Sequence, residues 1–79
     1  MGTTKRAHPR KLARKLKQVR ARASLSQSEI AKEFDVTDRA LISQFETGKR
    51  QPPLPVLLKY ARLARVHMEI LVDDKMKLP

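Results

Sequence analysis

The chain contains no cysteine, which excludes disulfides and thiolate-held metals. It has only two glycines, Gly2 and Gly48, so it has no glycine-rich loop to cradle a nucleotide phosphate. Its three aromatic residues are Phe34, Phe45 and Tyr60. With both phenylalanines assigned to a core, no stacking platform for unpaired bases remains. No apolar run approaches the ~20 residues that cross a bilayer, and no signal-peptide-like apolar segment is visible. The expectation is a soluble, cytoplasmic protein with no membrane partner. Chemistry-bearing groups are equally scarce. His8 and His67 lie far apart in the chain, without metal-ligand spacing, and Asp73-Asp74 reads as solvated charge. No catalytic residue, cofactor, metal or small-molecule ligand is expected, and the chain reads as a binding protein rather than an enzyme.

Acid is also missing from one end. Residues 1–22 hold nine basic groups and no acidic one, whereas residues 23–79 hold nine basic and eight acidic groups. The net charge of +10 is therefore concentrated in an N-terminal arm and first helix joined to a nearly neutral remainder. Charge this one-sided points to a polyanionic partner, nucleic acid first and an acidic membrane surface second. The first helix lacks the Trp and Phe of a membrane-surface helix, which weakens the membrane reading.

At 79 residues the chain makes one small domain. Residues 1–8 have no apolar period and read as a flexible basic arm. Pro9 suits the first turn of a helix, in which Leu12, Leu16, Val19 and Ala23 form a narrow apolar stripe and Lys11, Arg14, Lys15, Lys17 and Arg22 lie off it. Ser26 and Glu29 form a capping box for a second helix, which carries Ile30 and Phe34 on one face. Asp35-Val36-Thr37-Asp38 breaks the pattern. A third helix with Ile42 and Phe45 inward ends at Gly48. After the basic loop at residues 49–53, a fourth helix predicted over residues 53–65 is expected to bury Leu54, Leu57, Leu58, Ala61 and Ala64, with Tyr60 and Leu63 at its border. A short last helix over residues 68–72 is expected to bury Ile70, Leu71 or both. Residues 73–79 read as a frayed tail. The fold class is all-α: five helices around one core over residues 9–72.

With Ile42 and Phe45 turned inward, the third helix presents Ala40, Ser43, Gln44 and Thr47 outward, and Arg39 stands at its N-terminal shoulder. Short polar residues and Gln in that array, followed by Lys49 and Arg50, suit insertion into a DNA major groove, where Gln pairs with adenine and Arg with guanine. The N-terminus of the second helix, with Ser26 and Gln27, suits a phosphate.

The runs LxxVRxxxxLSQSEIA and ISQFETGKRQPPLPVLLKYARLA resemble the helix-turn-helix domain of the Cro/repressor (Xre-like) family over nearly the whole chain. The resemblance implies a five-helix, lambda-repressor-like domain with helices 2 and 3 as the helix-turn-helix. It places Arg39, Ala40 and Gln44, with Ser43 beside them, at base edges. It places Gln27, Thr47, Lys49 and Arg50 at phosphates, and Ser26 and Thr37 are grouped with them. It also implies that Arg20 pairs with Glu46. Lys5 and Arg6 of the arm are expected to enter a minor groove or track phosphates. The pattern departs from the family where glycine is usual, at Ser24, Asp35 and Arg65. It also carries one extra residue near Val36-Thr37-Asp38. With Asp38 as N-cap of the third helix the base-facing set stands; with Thr37 as N-cap the first contacts slide to Asp38 and Arg39.

The leading expectation is sequence-specific double-stranded DNA binding by a small transcriptional regulator, acting as a homodimer through the C-terminal helix region (residues 68–72). The alternatives are an antitoxin-like protein-interaction module with secondary DNA binding, and a basic RNA-binding protein. A toxin-binding tail of useful length and base-stacking aromatics are lacking for these two, respectively.

Overall fold

The computed structural model describes residues 11–79; Pro9 and the arm with Lys5 and Arg6 lie outside the described residues. These residues form five helices, α1 (Leu12–Arg22), α2 (Gln27–Glu33), α3 (Arg39–Thr47), α4 (Leu54–Ala64) and α5 (Met68–Val72), with no strand among them. α1 touches α3, α4 and α5, while α2 leans on α3. The core is Leu12, Leu16 and Val19 of α1, Ile30, Ala31 and Phe34, Ile42 and Phe45 of α3, Leu57, Tyr60 and Ala61 of α4, and Leu71 of α5. The rings of Phe34 and Tyr60 meet edge to face, centroids 4.9 Å apart.

One device ends four of the five helices. Ser24, Asp35, Gly48 and Arg65 take left-handed conformations, with φ of 59°, 57°, 82° and 60°. After each, an N–H reaches back five residues: Leu25 to Arg20 O, Val36 to Ala31 O, Lys49 to Gln44 O and Val66 to Ala61 O. This is the Schellman closure, which satisfies carbonyls that have no intrahelical partner. Leu25, Val36 and Val66 then pack on the core. Each helix end thus turns the chain directly back inward, so the links between helices stay short.

Three expectations need correction. The first concerns α4. Leu54 and Leu58 are 64% and 39% exposed, while Tyr60 is fully buried. Leu54 stands in the first turn, and Leu58 is rotated 100° away from inward-facing Leu57. Tyr60 can be buried because its hydroxyl finds a partner in Glu46.

The second concerns Lys15, which is buried rather than off the stripe. Its stem lies along the core edge, and its ammonium donates to Ile70 O, Asp73 O and Met76 O at 2.6, 2.9 and 2.7 Å. Three donors meet three acceptors, which offsets the burial of the charge.

The third concerns residues 73–79, which do not fray. They lie along α1, where Asp74 Oδ1 accepts the Lys11 N–H at 3.0 Å, Arg22 Nη1 donates to Pro79 O and Leu78 packs on the core. Of Ile70 and Leu71, it is Leu71 that is fully buried.

Candidate nucleic-acid interface

The sequence of α3 fixes which of its side chains face outward. Asp38 Oδ1 accepts the Ala40 N–H at 2.9 Å, so Asp38, not Thr37, is the N-cap and the helix begins at Arg39. Thr37 is exposed in the preceding turn. Ile42 and Phe45 are buried, Arg39, Ala40 and Thr47 are exposed, and Ser43 and Gln44 are half-buried along the same outer side. Gly48 then lets the chain reverse. The Gln44 carbonyl accepts from Lys49 N at 3.0 Å and from Arg50 N at 3.3 Å. The exposed basic loop is therefore pinned to the same residue whose side chain stands on the outer face.

The far end of α3 is anchored through Glu46, only 7% exposed. A carboxylate at a helix C-terminus opposes the helix dipole and needs strong partners. Arg20 Nε from α1 donates to both of its oxygens at 3.1 and 2.8 Å, and Gln27 Nε2 from α2 donates at 3.2 Å. Tyr60 Oη from α4 donates at 3.4 Å. Arg20 Nη1 also donates to Leu25 O at 2.9 Å, tying the start of α2 to the same group. The hydrogen bond to Glu46 holds the Arg20 guanidinium above its ordinary pKa. Burial, then the Glu46 charge, pushes the Tyr60 phenol well above the usual tyrosine range. A buried, paired carboxylate of this kind positions elements more than it adds net stability. Here it locks four helices around the last turn of α3.

The resemblance implied the Arg20–Glu46 pair, which is present at 2.8 Å. Gln27 and Tyr60 complete the cluster and were not foreseen from sequence. Both signals were readable: Gln27 follows a capping serine at the helix start, and Tyr60 sits among apolar residues with a hydroxyl to satisfy.

The expected phosphate-contacting residues are not uniformly free. The Gln27 amide has one N–H committed to Glu46. Thr47 Oγ1 donates back to Ser43 O at 3.0 Å. Ser26 Oγ accepts from Glu29 N at 3.0 Å, and Glu29 Oε1 accepts from Ser26 N at 2.8 Å, completing the capping box. Lys49 and Arg50 are exposed. The Gln27–Glu46 bond brings the start of α2 beside the end of α3. Gln27, Thr47 and the basic loop thus cluster there, with Arg39 and Thr37 at the opposite end of α3.

Among the described residues no cluster of His, Asp and Glu could hold a metal ion, and no helix is long and apolar enough to cross a membrane. His67 precedes α5 and caps it with no side-chain bond. No significant match was found among curated proteins or among solved structures. The model of the family described as "Helix-turn-helix domain" matches residues 11–73, from the start of α1 to just past α5. With α2 and α3 packed as a helix pair and the outer face of α3 free, the chain belongs to the helix-turn-helix domain family and is a DNA-binding domain of that kind.

Proposed function

We propose that this domain binds double-stranded DNA sequence-specifically and acts as a small cytoplasmic, nucleoid-associated transcriptional regulator of prokaryotic or phage type, with no enzymatic activity. The observation that carries the reading is the rigid presentation of α3. Its register is set by Asp38 and its last turn is held by Arg20, Gln27 and Tyr60 on Glu46. A fixed helix showing Arg39, Ala40, Ser43 and Gln44 can read base edges in a major groove. Lys49 and Arg50 at its exit neutralise phosphates and set affinity. Selection of binding sites from random duplexes at a stated salt concentration tests this. The expected result is one enriched motif; an unenriched pool sinks the sequence-specific reading.

Two copies are proposed to act together, so that two α3 helices meet successive major grooves ~34 Å apart. Leu71 is spent in the core of its own domain and Met68 and Val72 pack against that core, which leaves half-buried Ile70 as the apolar side chain of α5 for the contact. A two-fold symmetric motif from the selection and a dimer by sedimentation on DNA are expected. A monomer both free and bound would remove this part.

A further inference from the structure

The flank of α1 that faces away from α3 carries a basic groove that the interface above does not use. At 100° per residue, Ala13 and Arg20 share one side of α1. Ala13 lies near Gly48, where an added Cβ would stand 3.9 Å from Ala13 Cβ, and Arg20 reaches Glu46. Lys11, Lys15 and Arg22 lie on roughly the opposite side, where residues 73–79 run along the helix. Between α1 and that segment is a groove of about 300 Å³. Its charged lining is Lys11, Arg14, Lys15, Arg22 and Lys77, without an acid.

Most of this charge is unbalanced. Lys15 spends its ammonium on three carbonyls and Arg22 Nη1 donates to Pro79 O, but the side chains of Lys11, Arg14 and Lys77 are exposed. α1 has no acidic residue in its own first turn. Asp74 Oδ1 accepts the Lys11 backbone N–H at that end of α1. From Lys11 to Arg22 the cations follow one helix edge for ~16 Å, about the axial length of five phosphates on one DNA strand. The aromatic residues are all buried in the core, so unpaired bases would find no ring to stack on. A row of cations along a helix edge, backed by residues 76–78 rather than projecting from an outward helix face, fits a duplex backbone, bound irrespective of sequence.

We infer that this groove holds the phosphate backbone of a second DNA duplex, so that one molecule bridges two duplexes from opposite sides. The inference rests on the DNA-binding reading for the first duplex alone.

Two multiple variants separate the sites: Lys11→Gln/Arg14→Gln/Lys77→Gln in the groove, and Gln44→Ala/Lys49→Ala on α3. All five side chains are exposed or half-exposed, so both variants keep the core. An immobilised duplex with the selected site is loaded with protein, and a labelled duplex of unrelated sequence is added. The wild-type protein retains the labelled duplex. The groove variant lowers that retention at least tenfold, changes affinity for the immobilised duplex less than threefold and sediments as wild type does. In the α3 variant, residual duplex binding through three phosphate contacts weakens roughly 40-fold between about 50 and 200 mM salt. Groove-variant retention equal to wild type overturns the inference and assigns any bridging to two α3 helices of a dimer. So does a wild-type protein that binds one duplex and never holds a second. If the α3 variant keeps full affinity for the selected site, the recognition-face reading fails; loss of binding by the groove variant then still supports the groove. A chain that binds no duplex overturns both.

Discussion

At the scale of single residues, Arg65 is set by backbone conformation and Tyr60 by burial. Arg65 holds φ of 60° where a side chain clashes with its own backbone, a cost of roughly 1–2 kcal/mol that glycine escapes. Glycine also loses more freedom on folding, so Arg65→Gly is expected to stabilise the domain by about 0.5–1 kcal/mol. Thermal unfolding at fixed pH reads this as a rise of a few degrees, and an unchanged or lowered midpoint contradicts it. Tyr60 is held by burial rather than by backbone geometry. In the unfolded chain its phenol loses its proton near pH 10, whereas in the fold burial and Glu46 keep it protonated well above that. Above about pH 10 the unfolded state therefore binds fewer protons than the native state, and stability falls as pH rises. Tyr60's contribution is fully present below that pH. Since Tyr60 is the only tyrosine, tyrosinate absorbance reports it alone. Urea unfolding between about pH 9 and pH 11 should show a steeper loss in wild type than in Tyr60→Phe. Equal slopes would mean that Tyr60 ionises as freely in the fold as out of it.

At the scale of elements, α3 joins stability to recognition. Asp38→Ala removes the bond to Ala40 N and is expected to cost about 1 kcal/mol in urea unfolding. Because the cap sets where α3 begins, the same change should also blur the preference read by Arg39 at its first turn. Gln44→Ala should relax base preference at a cost of ~1–3 kcal/mol in binding, while Lys49→Ala should weaken all duplexes about equally and flatten the salt dependence. A Gln44→Ala protein with the wild-type motif and affinity would show that the outer face was misassigned. The helices themselves were legible because their signals are local: the Ser26–Glu29 box, the Asp38 cap, Gly48 and the apolar spacing of α1 and α3. α4 was misread on two points for a non-local reason. Its leucines and its tyrosine all satisfy helical spacing, and only the placement of Glu46 and Phe34 opposite decides that Tyr60, not Leu58, goes inside. The left-handed Ser24, Asp35 and Arg65 were visible only as departures from a glycine pattern, since no propensity predicts that an arginine will hold that conformation.

At the scale of the whole molecule, the ends of the described chain are tied together by a residue that looked like surface charge. Lys15 was illegible from sequence because the groups that hold it are backbone carbonyls of residues 70, 73 and 76, more than fifty residues away. Removing residues 73–79 takes away two of those three acceptors, the Asp74 contact to Lys11 N and the packing of Leu78. An ammonium left with one of its three acceptors at a buried site costs about 1–3 kcal/mol, and the lost Leu78 contacts add ~1 kcal/mol. The truncated chain should therefore unfold ~2–4 kcal/mol more easily. The decisive comparison is Lys15→Met in both backgrounds. In the full chain it strands three carbonyls around an apolar side chain and should destabilise. In the truncated chain it removes a poorly partnered charge and should be neutral or stabilising. The sign change in a double-mutant cycle isolates the coupling between Lys15 and the tail. If Lys15→Met costs the same in both chains, the tail contributes only packing and the three hydrogen bonds do not hold it.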